Sequence, residues 1–235
     1  MYTRDEAKLR ATKLRAILKD QGTDITHSNA LEVIAQQSDY KDWNTCVAAL
    51  EVREKLLPPP KGWALDGPFP EHYEYGRDPT VFYKGTNVVV IRVKKTVPPD
   101  LVQYVRMIQT FDAKGYRGQR VQFTAPLKCD DNDRIVTIWL RAHGKQGEVV
   151  AYDNLSERGI GTPNGPITGT TDWGVRSIVV DIPETTEKTS LGFMIAGLGA
   201  GYCWGFSLNA VSPLIPLTSN NTGLPTVPAN MPLDI

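Results

Sequence analysis

Three consecutive prolines, Pro58-Pro59-Pro60, separate two segments of different composition. Before them, apolar residues recur at helical spacing with very little glycine, and after them short β-branched and aromatic runs alternate with Gly, Pro, Asn and Asp. Consecutive prolines cannot continue a helix and favour a stiff, extended connector. We therefore predict an α+β multidomain chain: a helical module over 1–57, a proline linker over 58–61, a β domain over 62–212 and an extended proline-rich arm over 213–235.

The charge balance and the cysteines limit the setting in which such a chain works. The 235 residues include 26 basic and 26 acidic side chains, which argues against attraction of the whole surface to nucleic acid or to an anionic membrane. The three cysteines show no metal-ligand spacing, as expected for reduced thiols in the cytoplasm. No apolar run is long enough for a membrane span, and the N-terminus lacks the apolar core of a signal peptide. We expect a soluble cytoplasmic protein without membrane contact.

The first 57 residues predict three short helices. The apolar stripe of the first helix has the spacing i, i+4, i+7, i+11 and consists of Ala7, Ala11, Leu14 and Leu18. Thr26, Ser28 and Asn29 are candidate N-caps of the second helix, and Asn29 with Glu32 has capping-box spacing. Asp42 is placed to cap the third helix. Tight turns between these helices predict a minimal bundle.

The helical module permits two functional interpretations. Its second and third helices have the outline of a helix-turn-helix, which suggests DNA binding. Against this, residues 1–57 carry as many acidic as basic side chains, and the third helix contains Glu51 and Glu54, which repel phosphate. We therefore favour a protein-contact module and keep nucleic-acid binding as the less favoured alternative.

Two phrases in this module, THSNALEVIA over 26–35 and YKDWNT over 40–45, resemble the N-terminal helical module of glyoxalase-related proteins of the glyoxalase superfamily. The resemblance implies the fold of the module. It does not carry glyoxalase activity over, because the metal-binding glyoxalase fold needs His and Glu ligands in paired βαβββ units. The β region here has His72 and His143 and shows no such repeat.

The β domain contains at least eight strand-like runs between residues 80 and 211, separated by turns rich in Gly, Asn and Asp. Strands at this spacing predict an antiparallel β-sandwich of jelly-roll type. One segment, 104–111, alternates less cleanly and is read as holding a short helical turn.

Several short sequence segments of the β domain resemble those of jelly-roll sandwich domains. These domains are related to carbohydrate-binding modules and are found beside AraC-type regulators. The segments include GW at 62–63, YEYG at 73–76, QTF at 109–111, WLR at 139–141 and GTTDW at 169–173. The resemblance implies ligand binding or effector sensing by the sandwich. In many relatives the last strand supplies an Asp to a calcium site, but Trp204-Gly205-Phe206-Ser207 has no carboxylate, so we predict no metal.

The best candidate ligand site is a polar and aromatic cluster of Trp139, Arg141, Asp153 and Asn154. Trp139 and Arg141 share one face of a strand because side chains alternate. An aromatic ring can stack on a sugar, while Arg and Asp can hold its hydroxyl groups. The alternative is a structural Arg–Asp pair beneath a core tryptophan. Candidates of second rank are Tyr73, Tyr75, Arg117 and Asp172.

Three functions stay open from the sequence. The favoured one is a non-catalytic ligand- or partner-binding protein, with a small molecule or glycan as ligand and the helical module as a protein-interaction surface. The alternatives are a DNA-binding regulator with an effector-sensing sandwich and an assembly protein that oligomerises through the arm or the helical module. The sequence contains no GxSxG, no Gly-rich phosphate loop and no HExxH motif, so an enzyme is disfavoured and no catalytic residue or cofactor is predicted.

Overall fold

A computed structural model describes residues 4–218, apart from the side chains of 52–54. The helices are α1 (Arg4–Asp20), α2 (His27–Gln36) and α3 (Trp43–Glu54). The strands are β1 (Ala64–Asp66), β2 (Tyr73–Tyr83), β3 (Thr86–Val93), β4 (Tyr104–Asp112), β5 (Arg120–His143), β6 (Val149–Asn154), β7 (Ile167–Asp181), β8 (Lys188–Ala196), β9 (Ala200–Cys203) and β10 (Ser207–Ala210). The predicted α+β fold class, three N-terminal helices followed by an antiparallel sandwich of jelly-roll type, is confirmed. The helical turn predicted within 104–111 is wrong, because this segment is strand β4, paired with β8 over its whole length.

The described residues form two compact units. The helical unit comprises 4–58 together with 77–87, and the sheet unit comprises 59–76 together with 88–218. In the helical unit, Leu57 and Arg77 exchange two backbone hydrogen bonds of 2.8 and 3.0 Å. No helix in the described part of the chain combines the length and the apolar character needed to cross a membrane.

Local capping sets the ends of the helices. The Thr26 hydroxyl accepts a hydrogen bond from the Asn29 backbone N–H at 3.1 Å, so Thr26 is the N-cap of α2 and the predicted capping box of Asn29 and Glu32 is not formed. Glu32 instead accepts from the backbone N–H of Trp43 at 2.8 Å, which joins α2 to the start of α3. Asp42 caps α3 as predicted, because its carboxylate accepts from the Thr45 N–H at 2.7 Å.

The core of the helical unit is built mostly from small side chains. Ala7, Ala11, Ala30 and Ala35 are fully buried, and Leu31, Ile34, Cys46 and Leu50 complete the cluster. Alanine has no side chain beyond Cβ, so the helices approach one another closely.

Strand β5 organises the sheet unit because it pairs with different neighbours along its 24 residues. Its first part, 120–127, pairs with β7 and β10, and its last part, 135–143, pairs with β8 and β6. From the sequence, 120–125 and 134–141 are two of the strand-like runs and are predicted as separate strands. Instead, irregular register against β7 between 127 and 136 lets one strand curl from one layer of the sandwich into the other.

Alternation along β5 fixes which side chains enter the core between the layers. The inward side chains are fully buried and comprise Val121, Phe123, Ala125, Leu127, Val136, Ile138, Leu140 and Ala142. Trp139 and Arg141 have the opposite parity and therefore lie on the outer face of the layer that contains β4, β8, β5 and β6.

The described start of the arm, 213–218, is bonded to its own sheet unit. The Arg120 guanidinium donates to the carbonyls of Pro213 at 2.6 Å and Ile215 at 2.7 Å. The Thr218 N–H donates to the carbonyl of Val179 on β7 at 2.9 Å. The rest of the predicted arm, 219–235, lies outside the described residues.

Candidate ligand-binding sites

On the outer face of the sheet, polar and aromatic side chains form a cross-strand row over four neighbouring strands. Thr110 on β4, Ser190 on β8, Arg141 on β5 and Tyr152 on β6 are register partners in this row. Trp139 lies on the same face, two residues before Arg141. These five residues form what we call the arginine face.

The Arg141 guanidinium is held between two aromatic rings. Its central carbon lies 5.9 Å from the centroid of the Trp139 ring and 5.3 Å from that of Tyr152. Arg106 also covers the Trp139 ring, at 5.1 Å, but it is neutralised by Asp66 at 2.6 Å. Among the side chains that the structure describes, the Arg141 guanidinium has ring contacts and no hydrogen-bond or ion-pair partner. The arginine face therefore presents an uncompensated cation.

Trp139 is covered by the two arginines, and only 3% of its surface is exposed. It is therefore not an open platform for stacking a sugar ring. Its indole Nε1 is buried and has no hydrogen-bond partner among the described residues. A buried donor without an acceptor is energetically costly, and this indole N–H is such a donor on the arginine face.

The predicted cluster with Asp153 does not assemble. Asp153 is the register partner of Leu140, so its side chain lies on the opposite face from Trp139 and Arg141. Its carboxylate pairs with Arg158 at 2.8 Å and accepts from the Thr218 hydroxyl at 2.7 Å. The alternative considered from the sequence, a structural Arg–Asp pair within this cluster beneath Trp139, is not formed either, because Asp153 pairs with Arg158 instead. Asn154 is the register partner of Trp139, and its side-chain oxygen accepts from the Ser156 N–H at 3.0 Å.

The four candidates of second rank lie in four different local environments. Tyr73 is buried in the core, where desolvation raises the pKa of its hydroxyl, and Tyr75 packs half-buried against the same core. Arg117 pairs with Glu187 at 3.1 Å and donates to the carbonyl of Thr186. Asp172 is exposed and accepts from the Trp173 N–H at 2.8 Å. Local contacts hold these side chains, and the structure does not gather them around Arg141.

The acidic segment 130–133 is occupied by protein contacts. The Asp131 carboxylate accepts from the Thr170 hydroxyl at 3.1 Å, Asp133 accepts from the Leu198 N–H at 2.6 Å, and Asp130 pairs with Lys128 at 2.6 Å. Within residues 4–218, no group of His, Cys, Asp or Glu side chains is arranged to hold a metal ion.

A cavity that the sequence did not reveal lies on the inner side of the sheet unit. It has a volume of about 550 Å³. Its lining is mainly aromatic and aliphatic: Pro60, Trp63, Val89, Met107, Gln109, Phe111, Tyr116, Phe123, Leu191, Cys203, Trp204, Gly205, Phe206 and Leu208. We call it the aromatic cavity.

Stacked rings form one wall of the aromatic cavity. Trp63 and Phe206 stack with centroids 4.7 Å apart, and Phe206 continues onto Phe123 at 5.5 Å. Phe111 and Tyr116 meet edge to face at 5.9 Å. Packed rings of this kind restrain one another and give the cavity a rigid, apolar lining.

The lining of the aromatic cavity includes an amide and a thiol. Gln109 contributes an amide that can both donate and accept. Cys203 is fully buried, and desolvation raises the pKa of its thiol well above the usual value, so the reactive thiolate is disfavoured.

The sequence contains signals for the aromatic cavity that do not by themselves indicate a cavity. Gly62-Trp63 carries part of the resemblance to jelly-roll sandwiches, and Trp204-Gly205-Phe206 lacks the carboxylate of a calcium site. These segments are about 140 residues apart, and only the fold brings Trp63 onto Phe206.

Comparison with known proteins confirms the resemblance of the N-terminal segment. A family model described as "Glyoxalase superfamily protein" matches residues 1–78. The chain is also 30% identical over 159 residues to the uncharacterized HTH-type transcriptional regulator YbfP of Bacillus subtilis (strain 168). This match covers 68% of the chain and 51% of YbfP, so the chain spans about half the length of this relative. A match of 159 residues in a chain of 235 necessarily includes part of the sheet unit.

Solved structures with similar strand arrangements include carbohydrate-binding proteins. The C-terminal family 22 carbohydrate binding module of Clostridium thermocellum Xyn10B is 13% identical, with a TM-score of 0.46, over 66% of this chain and 89% of that chain. The enzymatically active domain of bacteriophage CBA120 tailspike protein 4 is 14% identical, with a TM-score of 0.47, over 64% of this chain and 20% of that chain. No functional inference follows from similarity at this level.

Proposed function

We propose that the chain is a non-catalytic ligand-binding protein whose sheet unit takes a small ring-bearing molecule, a saccharide or a metabolite of similar size, into the aromatic cavity. The observation that supports this is the cavity itself, about 550 Å³ with the stacked wall of Trp63 and Phe206. Small-molecule sites have volumes of about 300–1,000 Å³, mostly apolar walls and a few orienting polar groups.

The lining suggests how a ring would be held. The apolar walls remove its faces from water, which is favourable in proportion to the apolar area buried. The Gln109 amide supplies both a donor and an acceptor, which fits a ring that carries a hydroxyl or carbonyl group.

Calorimetric titration with mono-, di- and trisaccharides and with aromatic metabolites tests the proposal, with tryptophan fluorescence as a second readout. For a compound that binds, Gln109→Leu is expected to weaken affinity up to about tenfold, the value of one hydrogen bond. Leu208→Trp, which fills the cavity, is expected to abolish binding. Trp173→Phe is the matched control, because this tryptophan is half-buried and does not line the cavity. Unchanged affinity in both cavity variants, each with a normal melting transition, would contradict the assignment.

A second function, effector sensing in a transcriptional regulator, is favoured by the similarity to YbfP. The aromatic cavity would then hold the effector, and the helical unit would contact DNA or a protein partner. The connection between α2 and α3 spans six residues, 37–42, whereas a DNA-reading helix-turn-helix has a turn of about three or four. On α3, Glu51 is paired with Arg4 of α1 at 2.8 Å. The long connection favours a protein contact over a DNA contact, and the ion pair occupies one of the basic side chains of α1 that could otherwise contact phosphate.

A gel-shift series at rising salt separates these two roles. A helical unit that contacts phosphates retards DNA at low salt and loses affinity steeply as salt rises. Absence of any shift at low salt would leave the protein-contact role. Self-association through the arm or the helical module and the cytoplasmic location stay predictions.

A further inference from the structure

Arg141 is held in a defined orientation and lacks an anion. We propose that the arginine face binds the carboxylate of a small acidic ligand, such as a sugar acid, with Arg141 as the anchoring group. The inference does not depend on the aromatic cavity. Met107 and Leu191 of the cavity point inward from β4 and β8, while Thr110 and Ser190 of the arginine face point outward from the same strands.

The geometry prepares Arg141 for a carboxylate. A guanidinium that lies over aromatic rings is held by cation–π attraction while its N–H edges stay available for hydrogen bonds. The planar fork of donors matches the two oxygens of a carboxylate. Because the rings of Trp139 and Tyr152 already order the side chain, binding costs less conformational entropy than it would for a free surface arginine.

The charges on this face leave Arg141 uncompensated. Arg106 is paired with Asp66 at 2.6 Å, and Asp112 is the register partner of Lys188 on the neighbouring strand. The Asp112 carboxylate accepts from the backbone N–H of Lys114 at 2.7 Å, and the Asp153 carboxylate pairs with Arg158 on the opposite face of the sheet. An incoming anion would meet one cation that has no competing partner among residues 4–218.

The neighbouring groups fit a hydroxylated ligand. The hydroxyls of Thr110 and Ser190 share a hydrogen bond of 2.8 Å and lie in the cross-strand row of Arg141. The Trp139 indole N–H is buried beneath the two arginines, so these two hydroxyls are the neutral polar groups offered to a ligand beside Arg141. One free cation beside hydroxyl groups suits a singly charged carboxylate better than a doubly charged phosphate, which usually requires several cations.

Calorimetric titration of the full chain with glucuronate tests the inference, with glucose as the neutral match and inorganic phosphate as the rival anion. Glucuronate is expected to bind with an affinity that falls as salt rises, while glucose does not bind at this face. Arg141→Gln is expected to weaken glucuronate binding about ten- to a hundredfold, and Arg141→Lys less. Arg92→Gln is the matched control, because this half-buried arginine is already paired with Glu74 at 2.8 Å.

The remaining outcomes distinguish this site from the aromatic cavity. Leu208→Trp is expected to leave glucuronate affinity unchanged, so failure at one site does not imply failure at the other. Should Arg141→Gln melt early, Arg141→Lys and the salt dependence of the native chain still report on the anchor. Equal affinity for glucuronate and glucose, unchanged binding in the Arg141 variants, or binding of phosphate alone would overturn the inference.

Discussion

The two units of this chain build their cores from side chains of different sizes. Among the described side chains of the helical unit, four of the eight buried core residues are alanine. Among those described in the sheet unit, two of the 23 in the core cluster are alanine, and the others include Phe123, Met107 and Phe193. The helical unit therefore depends on close approach of the backbone and on caps, whereas the sheet unit depends on the volume of apolar side chains removed from water. We expect the sheet core to be most sensitive to truncation and the helical core to enlargement.

Truncation in the sheet core gives the largest expected effect. Phe193 is fully buried, and Phe193→Ala is expected to lower the free energy of unfolding by about 3–5 kcal/mol, because it removes apolar contacts and leaves a cavity. Chemical denaturation measures the change. Val175→Ala, at a side chain that is 58% exposed, is the control and should have little effect. A loss below about 1 kcal/mol for Phe193→Ala would show that the sheet core relaxes and that the contrast between the units is overstated.

Enlargement in the helical core ranks second. Ala30 is fully buried, so Ala30→Leu is expected to destabilise the helical unit by about 1–3 kcal/mol through overpacking. Ala16→Leu is the matched control, because Ala16 is exposed on α1 and a larger side chain there meets solvent. Equal melting of the two variants would mean that the alanines are not closely packed.

Removal of a single methyl group compares the units directly and gives a smaller effect. Ile34→Val in the helical core and Ile178→Val in the sheet core are each expected to cost about 0.5–1.5 kcal/mol. Ile34 is 6% exposed and Ile178 is fully buried, so the helical variant should fall at the lower end. Denaturation curves of both variants, fitted separately for each unit, measure the two losses of unfolding free energy. A larger loss for Ile34→Val than for Ile178→Val would contradict the expected order.

The smallest expected change is the loss of stability at acidic pH, which we expect in both units. Hydrogen bonds from Thr45 lower the pKa of Asp42, and the Arg120 guanidinium lowers the pKa of Asp181. A carboxyl whose pKa is lower in the folded state contributes stability above its ordinary pKa of about 3.9, and this contribution is lost as the pH falls through the folded value. Unfolding followed by circular dichroism between about pH 2 and 6 should show a shallower acid dependence for the helices in Asp42→Asn and for the sheet in Asp181→Asn. Identical acid profiles in the native chain and both variants would contradict these assignments.

Local features were predictable from the sequence, because they depend on neighbours in the chain. The Asp42 cap needs only Asp42 and Thr45, and the shared face of Trp139 and Arg141 needs only strand alternation. The position of Asp153 was not predictable. Its face depends on which residue of β6 pairs with Leu140, and a shift of one residue would reverse it.

The aromatic cavity was beyond the reach of local patterns for another reason. Its lining comes from segments between 60 and 208, and no spacing rule relates Trp63 to Phe206. The free charge of Arg141 is likewise a property of the whole face. The sequence contains 26 acidic residues that could pair with Arg141. Only the pairing of strands shows that none of the described ones forms an ion pair with its guanidinium.

The bond between Thr218 and Val179 affects how copies of this protein behave at high concentration. In the part of the chain that the structure describes, β7 pairs with β5 alone, so its other edge offers backbone groups to which a foreign strand could add. Thr218 occupies the backbone of Val179, and the Asn164 amide bonds both the N–H and the carbonyl of Ser177, at 2.9 and 2.6 Å. Pro216, in the covering segment, has no N–H to donate onward. The described start of the arm therefore covers this edge at Val179, and we expect this cover to disfavour edge-to-edge aggregation.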